Sequence, residues 1–211
     1  MNNSAAKSTR KAPSKPRSKS APAHARGEGR DAILKAAYEL MLQDRVSSVS
    51  HRSVAARAGV AVGLIRYHFS TRTTLLLACI THLMEERHEV ALEALSRCRP
   101  GLDPIETGRL AVTAYTGPDI SDSGLTSTLA ALLDTAREDR VLSEFLIAER
   151  PTVEGDLMAV LEACGWGEAD PTLVLHVIDG ALVAGIVDKQ PGLLDVAARS
   201  CAAVLSLSKP H

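Results

Sequence analysis

Residues 51–70, HRSVAARAGVAVGLIRYHFS, constrain the fold of this chain more than any other stretch, because they predict two short helices joined by a tight turn. The small residue Ala55 allows the second helix to approach the first closely. Gly59 supplies the positive φ that the turn requires. Ile65 follows at the spacing that closes a small core between the helices. The pattern predicts a helix-turn-helix whose second helix suits insertion into the major groove of DNA.

Charge is divided unequally along the chain, although its 211 residues carry a net charge of only −1. Residues 1–70 hold 13 Lys or Arg and 4 Asp or Glu, which gives a net charge of +9. Residues 71–211 hold 11 Lys or Arg and 21 Asp or Glu, which gives a net charge of −10. The split indicates that only the N-terminal end faces a polyanion. Aromatic residues make up 3% of the chain, which argues against a binder that stacks single-stranded bases on aromatic side chains.

Apolar residues recur at helical spacing along the chain, and no segment shows the alternation of apolar and polar residues that is typical of a β-strand. We expect an all-α protein of about nine helices with a disordered basic tail (1–26), a three-helix helix-turn-helix domain (27–70) and a helical ligand-binding and dimerisation domain (71–211). Ser50 and Ser70 are the expected N-caps of the second and fourth helices. The predicted helices cover about 27–43, 51–58, 62–69, 71–97, 104–115, 125–136, 139–164 (disturbed near Pro151), 171–188 and 193–207.

Residues 54–77, VAARAGVAVGLIRYHFSTRTTLLL, resemble the DNA-binding motif of the TetR family of bacterial transcription regulators. Residues 27–80 share the specific pattern, and the remainder is similar only in helical layout and length. The matching positions are Ala58-Gly59-Val60, Gly63, the aliphatic Ile65 and the aromatic end His68-Phe69.

Four positions depart from the family's pattern. Ala61 replaces a serine, Val62 replaces a polar or basic residue, and Arg66 replaces the first tyrosine. Arg72 stands where the family usually carries lysine. Because two of these positions lie on the outward face of the predicted reading helix, we expect this chain to have its own base preference.

The reading helix supplies the expected base contacts. Arg66 is the main candidate, because a guanidinium can donate two parallel hydrogen bonds to a guanine edge; a phosphate contact is the alternative. Leu64 touches a thymine methyl or packs internally, and Gly63 lets the helix backbone approach DNA. The resemblance implies phosphate contacts for Tyr67 and His68, with packing beside Phe69 as the alternative for His68.

Phosphate contacts are also expected at two other helix starts, since helix N-termini favour anions. Ser50 and Arg52 begin the helix before the reading helix, and Arg72 begins the fourth helix. The basic tail is either a solubilising segment or an arm that adds phosphate or minor-groove contacts. The expected DNA-binding residues are thus Ser50, Arg52, Val62, Gly63, Leu64, Arg66, Tyr67, His68 and Arg72.

The resemblance further implies a homodimer on a palindromic operator of double-stranded DNA, acting as a repressor in the cytoplasm at the nucleoid. Two pairs of small residues, Gly180 with Ala184 and Ala181 with Gly185, predict a helix face that permits close crossing and dimerisation. An unknown small-molecule effector is expected in the C-terminal domain, and an activator role is a variant of the same hypothesis. Candidate pocket residues are Tyr115, Phe145, Met158, Trp166 and His176. The alternative for the first four is that they are ordinary core residues.

Other chemistries find little support in the sequence. His82, Glu85, Glu86 and Glu89 have metal-ligand spacing, but such a run is more often a solvated helix face. His176 and Asp179 either pair with each other or contact a ligand. No catalytic motif, cofactor motif or membrane-spanning segment is recognisable, so we expect neither an enzyme nor a bound cofactor or metal. The alternative function is a helical small-molecule-binding or protein-interaction module whose helix-turn-helix does not bind DNA.

Overall fold

The computed structural model describes residues 23–138 and 140–207. Most of the predicted basic tail lies outside these ranges, but residues 23–26 already belong to the first helix. The described residues form nine α-helices, one 3-10 turn and no strand, which confirms the expected fold class. The elements are α1 (Ala23–Asp44), a 3-10 turn (Val46–Ser48), α2 (His51–Ala58), α3 (Val62–His68), α4 (Arg72–Ser96), α5 (Pro104–Thr116), α6 (Asp122–Glu138), α7 (Arg140–Ala163), α8 (Pro171–Val187) and α9 (Leu193–Leu205).

The cap of α4 differs from the sequence prediction by one residue. Thr71, and not Ser70, is the N-cap, because its hydroxyl accepts from the Thr74 backbone N–H while the Thr74 hydroxyl accepts from the Thr71 N–H. This reciprocal pair satisfies two backbone donors at once, which a lone serine cap does not achieve. Ser70 is left exposed in the preceding turn.

α7 and α6 differ from their predicted forms in other ways. α7 runs through Pro151 without a break, because buried side chains anchor it on both sides of the proline, at Leu142 and at Leu157. α6 begins at Asp122, three residues earlier than expected. The Asp122 carboxylate accepts hydrogen bonds from the backbone N–H groups of Gly192 and Leu193 at 2.8 and 2.7 Å, so the start of α6 is tied to the start of α9.

Two apolar clusters hold the helices together, and α4 contributes to both. The N-terminal cluster joins α1, α2 and α3 to the first half of α4, where Leu75, Leu76 and Ile80 are buried. The C-terminal cluster joins α5, α8 and α9 to the second half of α4. Ala131 of α6 belongs to the N-terminal cluster, so the C-terminal helices also contact the predicted DNA-binding domain. No helix in the described part of the chain is long and apolar enough to span a membrane.

Arg45, between α1 and the 3-10 turn, has a backbone conformation that favours glycine. Its φ is 75° and its ψ is 160°. This combination of φ and ψ destabilises a non-glycine residue by about 1–3 kcal/mol. We expect Arg45→Gly to raise the free energy of unfolding by about 1 kcal/mol. Urea unfolding would measure the change, and Arg45→Ala, which keeps the Cβ, is the control that should gain nothing.

Candidate DNA-binding surface and interior cavity

The turn between α2 and α3 has the geometry that the sequence predicts. Gly59 caps α2 in the left-handed conformation, with φ 66° and ψ 31°. Its N–H and the N–H of Val60 both donate to the carbonyl of Ala55, and the second of these bonds measures 3.0 Å. Ile65 is fully buried, and Ala55 is 4% exposed. These contacts fix the orientation of α3 relative to α2.

The start of α2 is held by side chains that point back into the protein. The Ser50 hydroxyl accepts from the Ser53 N–H at 3.1 Å, so it is used as a helix cap. The His51 ring contacts the Phe69 carbonyl at 2.8 Å through Nε2 and thereby joins the start of α2 to the end of α3. The sequence prediction missed this role of His51, because the histidine carries no motif signal of its own.

α3 presents an outward face whose residues are exposed in the described structure. Val62 and Leu64 are each 37% exposed, Tyr67 is 69% exposed, and Arg66 is also exposed. A Cβ built on Gly63 would meet no atom within 4 Å. Arg66 has no salt-bridge partner among the described residues. The five residues Val62, Gly63, Leu64, Arg66 and Tyr67 are called the reading face below.

The other predicted DNA contacts lie in different settings. Arg52 is exposed beside the start of α2 and has no partner among the described side chains. His68 is half-buried, and its Nε2 is buried without a hydrogen-bond partner in the described part of the chain. A Cβ on Gly29 of α1 would lie 4.0 Å from that nitrogen, so the ring lies against α1, and it also packs edge-to-face on the Tyr67 ring with 5.0 Å between the centroids.

Arg72 is occupied by contacts within the protein. Its Nε donates to the Val49 carbonyl at 2.6 Å, and its Nη2 donates to the Val46 carbonyl at 2.7 Å. Its Nη1 forms an ion pair with Glu138, the last residue of α6. The guanidinium therefore fastens the start of α4 to the turn that precedes α2 and to the end of α6, and three of its five N–H donors are used within the protein.

A cavity of about 230 Å³, called the interior cavity below, lies between α4, α5, α6, α7 and α8 and opens to solvent beside the exposed Leu133 and Arg150. Its walls are mainly apolar, and α6 supplies one whole side. The wall residues of α6 are Thr128, Leu129, Leu132, Leu133 and Ala136; the apolar side chains from the other helices are Leu83, Met84, Leu146, Val153 and Leu175. Ligand sites in proteins are typically such apolar clefts with a few polar groups.

The first polar group of the cavity is a carboxylate bonded to a phenol. The Tyr115 hydroxyl donates to Asp179 at 2.5 Å, across from α5 to α8. Burial raises the pKa of Asp179 and outweighs the Tyr115 hydrogen bond and the positive charge of Arg150, both of which lower it. Burial and Asp179 together also raise the pKa of Tyr115. Asp179 is therefore a carboxylate poorly compensated by its surroundings.

The second polar group is Arg87, which is only 3% exposed although it lines the cavity. Its Nη2 lies 2.7 Å from Asp156, and its Nη1 donates to the Ala114 carbonyl at 3.1 Å. His88 contacts the same Asp156 carboxylate oxygen at 2.9 Å. The Nε of Arg87 is buried and has no acceptor among the described residues.

The structure brings only part of the predicted pocket to this cavity. Tyr115 lines it. Phe145 lies on a neighbouring groove with His88, and Trp166 is 6% exposed within the C-terminal cluster. His176 is exposed and contacts Arg150 at 3.1 Å, so it does not pair with Asp179. Met158 is not among the residues that line the cavity. The sequence prediction missed Arg87 and Glu149, which resemble ordinary charged positions of α4 and α7.

The metal-ligand spacing on α4 does not become a cluster of ligands. Glu86 accepts from the Tyr38 hydroxyl at 2.8 Å and lies 3.5 Å from His82, while Glu85 and Glu89 are exposed elsewhere on the helix. Within the described residues, no group of three or more His, Cys, Asp or Glu side chains is arranged to hold a metal ion.

α8 carries an exposed stripe of small and apolar residues along its outer side. The two predicted pairs of small residues divide between different faces. A Cβ on Gly185 would lie 2.8 Å from the Leu193 side chain, so that residue serves the packing of α8 on α9 within the chain. Gly180 and Ala184 are exposed instead. They share the outer stripe with Leu173, Val183 and Val187.

Comparison with known proteins identifies the N-terminal region most specifically. Residues 33–79 match the family model of bacterial regulatory proteins of the tetR family. No curated protein matches the chain.

Solved structures match nearly the whole chain. The multidrug binding protein EbrR complexed with ethidium is 27% identical, with a TM-score of 0.59 over 84% of this chain and 98% of that one. A transcriptional regulator from Rhodococcus sp. Rha1 is 24% identical, with a TM-score of 0.66 over 85% and 97% of the two chains. A regulator from Saccharomonospora viridis in complex with choline is 16% identical, with a TM-score of 0.67 over 85% and 96%.

Proposed function

Because this chain belongs to the tetR family of bacterial regulatory proteins, we propose that it is a homodimeric repressor that leaves a palindromic operator when a small molecule enters the interior cavity. As a member of that family it is a DNA-binding transcription regulator and not an enzyme. The single observation that best supports the DNA-binding role is the exposed reading face of α3. The Gly59 turn and the contact between His51 and the Phe69 carbonyl hold this helix in place. We place its action in the cytoplasm, at the nucleoid.

In this proposal the two helices of the motif divide the contacts with DNA. Arg66 reads a base edge, Leu64 contacts a thymine methyl, and Gly63 allows the backbone of α3 to lie close to the groove. Tyr67 and Arg52 contact phosphates, and the start of α2 adds its backbone N–H groups. Because the Ser50 hydroxyl is used as a cap and the Nε2 of His68 is buried against α1, we assign both residues to positioning the motif and not to direct contacts.

The outer stripe of α8 is the proposed dimer face. Exposed Leu173, Val183 and Val187 flank the small residues Gly180 and Ala184, so a second copy can approach closely and cover apolar surface. Such a two-fold dimer presents two reading faces to half-sites roughly 34–36 Å apart, one turn of DNA. Gly180→Leu, which adds bulk at the centre of the stripe, is the variant that would test it by analytical ultracentrifugation.

α6 offers a physical connection between the cavity and the motif. It forms one wall of the cavity, and both of its ends are tied: Asp122 to the start of α9, and Glu138 to Arg72. Arg72 in turn holds the carbonyls of Val46 and Val49, just before α2. A ligand that displaces α6 changes the position of α2, and release follows if that ligand prefers the displaced state. The similar protein EbrR forms a complex with ethidium, which supports a small-molecule effector for this chain.

The direct test is binding of the purified protein to the DNA upstream of its own gene and to a library of genomic fragments. We expect a protected palindrome and an affinity that falls steeply with salt, since phosphate contacts release counterions. Binding without sequence preference, in both assays, would instead support the helical binding module without a DNA-reading function.

Gly63→Ala separates the fold from DNA binding. A Cβ at this position meets nothing within 4 Å in the free protein, and alanine favours the helix by about 0.5–1 kcal/mol. We therefore expect unchanged or higher stability in urea unfolding, together with weaker operator binding in a fluorescence anisotropy titration, because the added methyl group keeps α3 away from the bases. Unchanged operator affinity would contradict the close approach of the helix backbone at this position.

A further inference from the structure

We infer that the interior cavity binds an amphipathic organic cation: a molecule with an apolar body, a positive group beside Asp179 and Glu149, and a hydrogen-bond acceptor for Arg87. The inference rests on the proposed function only in treating the cavity as the effector site. It concerns binding to the free protein and needs no DNA to be tested.

The walls define the body of the ligand. The cavity is lined by ten apolar or threonine side chains from α4, α6, α7 and α8, in addition to its charged residues. Burying an apolar body against such walls is favourable by roughly 25 cal/mol per Å² of surface removed from water. At about 230 Å³ the cavity suits a compact ligand.

The pairing of charges defines the ligand's charge. Four charged residues line the cavity, two basic and two acidic: Arg87, Arg150, Glu149 and Asp179. Arg87 is compensated by Asp156 at 2.7 Å, and Arg150 lies 3.3 Å from Glu154, outside the lining. Asp179 and Glu149 have no basic side chain within salt-bridge distance among the described residues. The cavity is thus left with two carboxylates that have no basic partner at contact distance, and an ion that enters it gains most if it is positive.

The surroundings of Asp179 agree with this assignment. The charged and titratable groups that face it come from α4, α5, α7 and α8, and α6 contributes only apolar and threonine side chains to the cavity. Despite the positive Arg150 nearby, burial dominates and raises the pKa of Asp179. A buried carboxylate in this condition is stabilised by a cation brought next to it. The charged and titratable groups considered around Asp179 are Arg87, Tyr115, Glu149, Arg150 and His176.

Arg87 defines the remaining requirement. The positive charge of the Arg87 guanidinium is already neutralised by Asp156, so this residue does not favour an anionic ligand. Its Nε–H, in contrast, is buried without an acceptor, and a buried donor without a partner costs on the order of 1–3 kcal/mol. That nitrogen is closed to solvent in the free protein, but Arg87 lines the cavity, so a small shift of its side chain on binding lets a carbonyl, ether or hydroxyl oxygen of the ligand accept from it. The walls, the two carboxylates and Arg87 thus supply one requirement each: an apolar body, a positive charge and a hydrogen-bond acceptor.

The test compares three probes of nearly equal size by isothermal titration calorimetry on the full chain. Phenacyltrimethylammonium is the cation, 3,3-dimethyl-1-phenylbutan-1-one is its neutral isostere with carbon in place of nitrogen, and 3-benzoylpropionate is the anion. We expect the cation to bind at least about tenfold more tightly than the isostere, which corresponds to about 1.4 kcal/mol for one partly buried charge contact. The anion should bind most weakly.

Variants then locate the positive group. Asp179→Asn and Glu149→Gln should each weaken binding of the cation by about tenfold and leave the neutral isostere within about twofold. Glu89→Gln removes one negative charge from the exposed side of α4, away from the cavity, and should change neither value. Because the asparagine still accepts from Tyr115, Asp179→Asn should fold; Glu149 is half-buried at the cavity wall and provides an independent variant.

Three outcomes would overturn the inference. They are equal binding of the cation and its isostere, tighter binding of the anion, or no binding of any probe. The inference would also be overturned if Asp179→Asn weakened binding of the cation and of the neutral isostere equally, because the substitution would then act through the shape of the cavity and not through its charge. None of these outcomes affects operator binding, so a failure here is distinct from a failure of the proposed DNA-binding function.

Discussion

Replacing Arg66 with alanine is expected to weaken operator binding by about 10- to 100-fold and to relax base preference at one position of each half-site. Arg66 is the only basic residue of the reading face, and it is exposed without a salt-bridge partner in the described structure. A guanidinium that donates two hydrogen bonds to a guanine contributes about 1–3 kcal/mol of discrimination. Because the side chain makes no contact that supports the fold, the free energy of unfolding should stay within about 0.5 kcal/mol of the parent value.

Fluorescence anisotropy with the operator and with a set of single-base variants measures both effects. Arg99→Ala is the matched control, because it removes the same charge from an exposed position beyond the far end of α4. A phosphate contact by Arg66 would give a different result: affinity would fall uniformly across all sequences, and the slope of log affinity against log salt would decrease by about one. No loss of affinity would remove Arg66 from the interface.

The helix-turn-helix could be predicted in detail because its determinants are local. Gly59 has the positive φ that the turn requires, Ile65 is buried as its spacing indicates, and Ser50 caps α2. Each of these follows from residues within one or two helical turns. The roles of Arg72 and His51, in contrast, depend on groups 18 to 66 residues away, at Phe69 and Glu138, and no local pattern reports such contacts.

The cavity was the least predictable part of the molecule. Tyr115 reaches it, but Trp166 fills the core, and His176 lies outside beside Arg150. Aromatic and polar residues in apolar helices give the same pattern whether they pack in a core or line a cavity. What distinguishes them is the pairing of charges across helices, as with Arg87 and Asp156, which are 69 residues apart. The sequence carries both residues but not their contact.

The close packing of α5 on α9 leads to the largest expected effect on stability. Gly108, in α5, is buried against the backbone of α9, and a Cβ built on it would lie 2.5 Å from the Ala198 carbonyl oxygen and 3.2 Å from the Ala198 Cα. Backbone atoms cannot turn aside as a flexible side chain does, so the two helices must separate. We expect Gly108→Ala to lower the free energy of unfolding by about 3 kcal/mol, the upper range for overpacking.

Gly155→Ala provides the matched control, since the same substitution at an exposed position of α7 meets no atom within 4 Å. That change should raise stability by about 0.5–1 kcal/mol through helix propensity alone. Urea unfolding of both variants, at one fixed protomer concentration, separates the clash from the propensity. Because α9 packs beside the proposed dimer face on α8, Gly108→Ala should also weaken self-association. A Gly108→Ala protein as stable as Gly155→Ala would mean that α5 and α9 can move apart at no cost, contrary to the close contact at Ala198.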